Sequence, residues 1–183
     1  MNKTFAFILI VILSPLFFLI ALYIIIVDGF PFIFVQKKYG KNNKIFDIYK
    51  FRTMKIHTPN VSTENFNDAL DYIIPGGLFL RKFSLDEIPQ LFNILFGNMV
   101  FIGPRPIMIE NEEIVYKLRN KNGVNELMPG ITGWAQVNGR DINSFEKKVE
   151  LDYYYKKNKS FFLDLKIILL TFKVVLLTRD IKH

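Results

Sequence analysis

Asp86 and Glu87 are adjacent carboxylates, followed at once by Ile88, Pro89 and Gln90. Proline fits the first turn of a helix, where backbone N–H groups have no partner. The spacing therefore predicts a helix that starts near Leu85 or Asp86, runs through Ile88, Leu91, Phe92 and Leu95, and stops at Gly97. Ser84 and Glu87 have the spacing of a capping box. Carboxylates at this place meet the positive end of the helix dipole, which also favours a bound phosphate. Arg81 precedes the pair, and Arg105 follows it between Pro104 and Pro106. A guanidinium fork on so stiff a loop suits bidentate contact with phosphate or carboxylate. Taken alone, Asp-Glu in a first turn is ordinary capping and Pro-Arg-Pro is a turn. Their combination, on a basic and apolar chain, points to chemistry on an anionic group.

The elements around this stretch can be read in order. Phe5 to Val27 is an uncharged run of 23 residues. As a helix it would be roughly 34 Å long, enough to cross a bilayer core. It is too long for a signal peptide, and no small-residue cleavage site follows. Ser14-Pro15 lies at its centre, where proline removes a helical hydrogen bond. Lys3 precedes the run, and Lys37, Lys38, Lys41 and Lys44 follow it. The positive-inside rule would keep both flanks on the same side. A spanning helix bent at proline and a helix that dips in and returns at Ser14-Pro15 both fit these residues.

Phe32 to Gln36 and Ile45 to Phe51 read as strands around the turn Tyr39 to Asn43, so a small β-hairpin is expected. Lys50 and Arg52 would share one strand face, and two cations there can meet a diphosphate; a solvated face is the plainer reading. His57 to Asp71 is a polar loop, and His57 receives no role. Pro75-Gly76-Gly77 is a turn leading into the central stretch. Glu110 to Asn122 reads as a solvated surface helix. Met128 to Arg140 carries three glycines and a proline before Arg140 (Gly130, Gly133, Gly139 and Pro129). Such a loop either wraps a nucleotide, with Arg140 on its phosphates, or is a connection with Trp134 as a packing anchor. Ser144 to Tyr155 reads as a helix whose Asp152 is a solvated charge or the partner of a site cation. Ser160 to Thr178 is apolar but interrupted by Asp164, Lys166 and Lys173. That suits a helix lying at a membrane interface, or packed under the domain, rather than one crossing it.

Half of the 183 residues are hydrophobic and the net charge is +7, with a pI near 9.5 and a mean hydropathy of +0.20. This balance suits an anionic membrane surface or a polyanionic ligand. Nucleic acid is disfavoured, because the lysines are not gathered on one helix and the N-terminus is apolar. With no cysteine, disulfides, zinc-thiolate sites and thiol catalysis are excluded. The expected architecture is one α+β domain, mainly helical with a small β-hairpin, and a membrane anchor. Residues 1–28 form the anchor and 29–183 the catalytic domain, with interfacial helices including about 160–178.

Four blocks together resemble the bacterial sugar transferases, specifically the small monotopic polyprenol-phosphate phosphoglycosyl transferases. They are the apolar segment with Ser14-Pro15; Tyr49-Lys-Phe-Arg-Thr-Met54; Ser84 to Asn93 with Phe101-Ile-Gly-Pro-Arg-Pro106; and Pro129 to Arg140. The resemblance implies transfer of a sugar 1-phosphate from a UDP-sugar to undecaprenyl phosphate. It implies that Asp86 attacks the β-phosphate, giving an aspartyl phospho-sugar and releasing UMP. It further implies Mg²⁺ held partly by Asp86, assistance from Glu87, and phosphate or nucleotide contacts from Lys50, Arg52, Arg81, Arg105, Arg140 and Asp152. Under the same likeness the N-terminal segment is a re-entrant helix broken at Ser14 and Pro15. The site then lies at the cytoplasmic face of the bacterial inner membrane, and downstream glycosyltransferases are the prospective partners. The chain looks like the minimal catalytic form, without the extra spanning helices of longer relatives. Asn98-Met99-Val100 departs from the family's usual Asp-Met-Ser, and the Pro75-Gly76-Gly77 segment is also unusual. The competing reading is a non-catalytic basic scaffold on anionic lipid, which leaves the Ser-Leu-Asp-Glu-Ile-Pro block unexplained.

Overall fold

The computed structural model describes residues 2–58, 69–109, 113–138 and 144–177. Helix α1 (Asn2–Asp28) runs unbroken through Ser14 and Pro15. Pro15 has no N–H to give the carbonyl of residue 11. Ser14 supplies the missing donor, its Oγ lying 2.8 Å from the Val11 carbonyl oxygen. The serine thus heals the backbone bond that its neighbour removes. Of the described helices, α1 is the one long and apolar enough to cross a membrane.

One face of α1 lies on the domain along its whole length. Ala6, Leu9, Ile10 and Leu13 pack against Phe46, Ile48, Leu91, Ile94 and Met99. Leu16, Phe17, Ile20, Ala21 and Ile24 pack against Phe51, Ile74 and Leu80. The other face leaves Phe7, Val11, Ile12, Phe18, Leu19 and Ile26 exposed. Burial of the inner face, at ~25 cal/mol per Å², anchors the helix to the domain.

The expected hairpin is present. β1 (Ile33–Tyr39) and β2 (Ile45–Phe51) pair antiparallel, with Ile33 opposite Phe51 and Tyr39 opposite Ile45. Asn42 and Asn43 take positive φ in the turn, which asparagine tolerates. A short helix, α2 (Gly77–Lys82), leads to a 3₁₀ turn at Leu85–Glu87 and then to α3 (Gln90–Phe96), which Gly97 ends in the left-handed conformation. β3 (Val100–Ile102) follows, and β4 (Ile107–Met108) joins the free edge of β1, giving the order β2-β1-β4. The helix α4 (Glu113–Lys121) is not wholly solvated: Val115 and Arg119 are buried, and Val115 shares a core with Ile107 and Val149. β5 (Gly130–Thr132) pairs parallel with β3. The chain closes with α5 (Trp134–Asn138), α6 (Phe145–Asn158) and α7 (Phe161–Leu177). Ser144 caps α6 by accepting from the Lys147 N–H.

On α7, Ile167 is buried and Thr171 bonds Thr132 at 2.8 Å, while Phe161, Phe162, Leu169 and Phe172 are exposed. The tyrosine hydroxyl of Tyr155 on α6 donates to Asp164 at 2.8 Å. Asp164, Ile167 and Thr171 thus lie on the face of α7 turned to the domain, and Lys166 and Lys173 are exposed. The outward side combines exposed Phe161, Phe162, Leu169 and Phe172 with the two lysines, a pattern that suits an interfacial helix.

Candidate active site

The 3₁₀ turn puts Asp86 and Glu87 side by side between β2 and α3. Ser84 has φ +55 and makes no side-chain cap bond, so the expected capping box does not form. Glu87 turns instead to Lys50 on β2, with Nζ at 2.7 Å from Oε1. Arg105 approaches the same oxygen at 3.4 Å. Asn93 aligns these elements: its Oδ1 accepts from the Tyr49 N–H at 3.1 Å, and its Nδ2 donates to the Asp47 carbonyl at 2.7 Å. A wholly buried amide side chain on α3 thus pairs with the open edge of β2 as another strand would, and holds Lys50 in register with Glu87. A polar residue between Phe92 and Ile94 was the sequence signal for Asn93, which the motif reading passed over.

The two carboxyls have opposite electrostatics. Asp86 is 8% exposed. Burial pushes its pKa up to about 6, against Lys50, with the Glu87 charge reinforcing the rise and Arg81 and Arg105 opposing it. Burial pushes Glu87 upward too, but Lys50 and then Arg105 outweigh it and hold that carboxyl well below the usual range. Arg81 donates from Nε to Thr53 Oγ1 at 2.8 Å. Burial lowers its pKa and the Asp86 charge opposes that shift. Asp86, Glu87, Lys50, Arg81 and Arg105 therefore form one electrostatic unit. Among the described residues, Asp86 takes part in no salt bridge, and Lys50, Arg81 and Arg105 act on its charge through space.

Two other residues sit elsewhere. Arg52 is 4% exposed. Its guanidinium pairs with Asp28 at 2.8 Å and donates to the carbonyls of Asp28 and Gly29. It closes the C-terminus of α1 and is not turned to a phosphate beside Lys50. The chain leaves strand β2 at Phe51, so strict alternation does not carry through to Arg52. Asp152, neither solvated nor at the site, is 2% exposed and bound to Arg119 at 2.6 Å. Arg140 lies outside the described residues. Arg119, absent from the motif reading, carried no signal beyond being a cation on a mixed-charge helix.

Gly130 and Gly133 of the later block lie against protein backbone. A Cβ on Gly130 would strike the Gly103 backbone, and one on Gly133 would strike the Gly103 carbonyl. Gly103 N–H bonds the Thr132 carbonyl at 2.8 Å, and Gly130 N–H bonds that of Pro104 at 2.9 Å. What the loop approaches so closely is the Arg105 loop. Trp134 is a packing anchor, stacked on Tyr154 at 5.7 Å with Lys166 over its ring at 5.2 Å.

No cluster of three or more metal-ligating side chains occurs among the described residues. The donor set does not make a protein cage. It does fit a magnesium ion that arrives on a diphosphate and takes one Asp86 oxygen, because magnesium commonly binds through one or two carboxylates plus substrate phosphates.

The description of the bacterial sugar transferase family matches residues 1–178. The chain belongs to that family. It is 42% identical over 155 residues to "Uncharacterized sugar transferase EpsL" of Bacillus subtilis, covering 85% of this chain and 75% of that one. It is 40% identical over 162 residues to "Galactosyl transferase CpsE" of Streptococcus agalactiae, covering 82% and 36%. A third relative, "UDP-glucose:undecaprenyl-phosphate glucose-1-phosphate transferase" of Escherichia coli, is 36% identical over 177 residues, covering 91% and 37%. The chain thus spans three quarters of the first relative and little more than a third of the other two.

Proposed function

We propose that the protein is a phosphoglycosyl transferase that moves a sugar 1-phosphate from a UDP-sugar to undecaprenyl phosphate through an adduct on Asp86. The supporting observation is the split dyad: Glu87 is committed to Lys50 and Arg105, while Asp86 stands beside them without a salt bridge among the described residues. The E. coli relative is named for this transfer with glucose.

In the first step an Asp86 oxygen attacks the phosphorus that bears the sugar. The bond from that phosphorus to the bridging oxygen breaks, and UMP leaves with the electron pair. In the second step an oxygen of the lipid phosphate attacks the same phosphorus. The bond to Asp86 breaks, the carboxylate is restored, and a polyprenyl diphosphate sugar is formed. Splitting the transfer spares the site from holding two anionic substrates at once. Lys50, Arg81 and Arg105 offset the charge gathering at phosphorus. Magnesium bound with the diphosphate would add further neutralisation. Glu87 holds Lys50 and Arg105 beside the nucleophile.

An α1 that stays on one side of the membrane completes the reading, as a helix continuous through Ser14 and Pro15 and not the expected helix-break-helix. Both halves of the helix pack on the same domain. The Lys3 side chain lies beside Gly97 at one end, and Tyr23 OH bonds the Pro75 carbonyl at 3.0 Å near the other. A helix passing straight through a bilayer would carry one half out of reach of a domain on one side. The exposed apolar faces of α1 and α7 then enter the cytoplasmic leaflet of the inner membrane and bring Asp86 to the lipid headgroups. The product is a substrate for glycosyltransferases that extend lipid-linked sugars.

The test is incubation with a panel of UDP-sugars and Mg²⁺, followed by acid quench and mass mapping. A phospho-sugar on Asp86 and release of UMP are expected. A scaffold on anionic lipid would release no UMP from any donor, and transfer without an adduct would refute the two-step route. Cysteines placed at Lys3 and Lys38 should react from the same side of the membrane; opposite sides would mean a spanning helix.

A further inference from the structure

The Arg105 loop is fastened at three successive residues. Gly103 and Pro104 bond the backbone of Thr132 and Gly130. The Arg105 carbonyl has a different kind of partner: it accepts from Arg119 Nη1 at 2.7 Å. The other nitrogen of that guanidinium, Nη2, is bound to Asp152 at 2.6 Å. Arg119 is 9% exposed. Asp152 is 2% exposed.

We propose that Asp152 and Arg119 are positioning residues for Arg105, fixing the loop so that its guanidinium faces the Glu87 side of the nucleotide site. This rests on the reading of Arg105 as a phosphate contact. Pro104 and Pro106 have no N–H with which to anchor the loop themselves, so the carbonyl between them is a natural handle. A guanidinium is suited to the task because its planar fork donates in two directions at once. Asp152 fixes one direction, and the other is aimed at the carbonyl. The pair also ties α6 and α4 to the site, so the packing of the C-terminal helices sets the attitude of Arg105. A buried ion pair contributes little net stability over an apolar one, which makes a geometric duty the better reason for keeping it.

The test is a double-mutant cycle read by calorimetric UDP binding with Mg²⁺, using the full chain in lipid nanodiscs. Arg105→Ala should weaken UDP binding roughly 10-fold or more. Asp152→Asn should weaken it several-fold alone, and should add nothing in the Arg105→Ala background. Arg119→Lys keeps the charge opposite Asp152 but cannot also reach the carbonyl, so it should behave as Asp152→Asn does, with thermal unfolding near that of the parent. If Arg119→Lys binds UDP as the parent does, or if Asp152→Asn costs the same factor in both backgrounds, the positioning role is overturned. If Arg105→Ala binds UDP normally, the phosphate role of Arg105 falls first, and the inference falls with it.

Discussion

Lys50 Nζ lies 2.7 Å from Glu87, and the neighbouring Asp86 has no such partner among the described residues. One cation has been given to one of two adjacent acids. The consequence is a pair in which Glu87 is a fixed charge and Asp86 an available one.

Removing the available charge should stop the reaction. Asp86→Asn is expected to lower transfer by at least roughly 10³-fold, since the amide is no nucleophile. Glu87→Gln should retain a measurable rate, because Lys50 and Arg105 lose an anchor but Asp86 remains. Rates of UMP release from the preferred UDP-sugar decide it. Equal rates for Asp86→Asn and the parent would remove Asp86 from the chemistry.

Asp86 must be ionised to attack. With its pKa raised to about 6, kcat/KM of the free enzyme should fall as pH drops below that value. Stability should respond with the opposite sign. The folded state holds the Asp86 proton more tightly than the unfolded chain, so this group favours folding at low pH and loses that contribution as pH rises through about 6. Glu87, with its lowered pKa, contributes above the ordinary carboxylate range and loses it on further acidification. Thermal unfolding from pH 7 to pH 5 should therefore show a rise that Asp86→Asn abolishes. A flat difference between parent and variant would contradict the buried environment of Asp86.

Lys50→Met strips Glu87 of its nearest cation. Both side chains are largely buried, so the uncompensated carboxylate should cost about 1–3 kcal/mol. Lys50 also lowers the Asp86 pKa, so the acid limb of the rate profile should move to higher pH. Denaturant titration and the pH profile check the two effects separately.

Gly130→Ala should be severely destabilising, because a Cβ there meets the Gly103 backbone, which cannot move without breaking β3 from β5. Loss of folded protein, or a large fall in unfolding temperature, is the expected result. Near-parental stability would mean that the two loops are not held together as described.

Ser14→Ala removes the hydroxyl that bonds the Val11 carbonyl, leaving that oxygen without the donor Pro15 lacks. The cost should be about 1 kcal/mol in apolar surroundings. Reintroducing the donor with Ser14→Thr should recover most of it, measured by thermal unfolding in nanodiscs.

Periodicity and punctuation made much of this protein legible. The apolar run is α1, the Tyr39–Asn43 turn joins a hairpin, and Gly97 ends α3. Pro89 marked the approach to a helix, but α3 begins at Gln90, and the acids sit in the 3₁₀ turn before it and not in its first turn. The family resemblance also placed Lys50, Arg81 and Arg105 around Asp86 and Glu87, and they meet there. The failures have a common physical origin. Arg52 and Lys50 look equivalent in a strand pattern, yet one is buried at the end of α1 and the other faces Glu87. Asp152 and Arg119, on different helices, carry no mutual signal, and neither does the approach of Gly130 to Gly103.

Local backbone preference and hydrophobic spacing act over a few residues, so the chain alone determined its helices, its hairpin and the adjacency of two carboxylates. Which cation each carboxylate meets depends on groups 37 residues apart in the case of Lys50 and Glu87. Such distances are closed only when α3 is laid along β2 by Asn93. The difference between an ion-paired acid and an available one was therefore decided by tertiary packing, because charge and desolvation act through space and not along the chain.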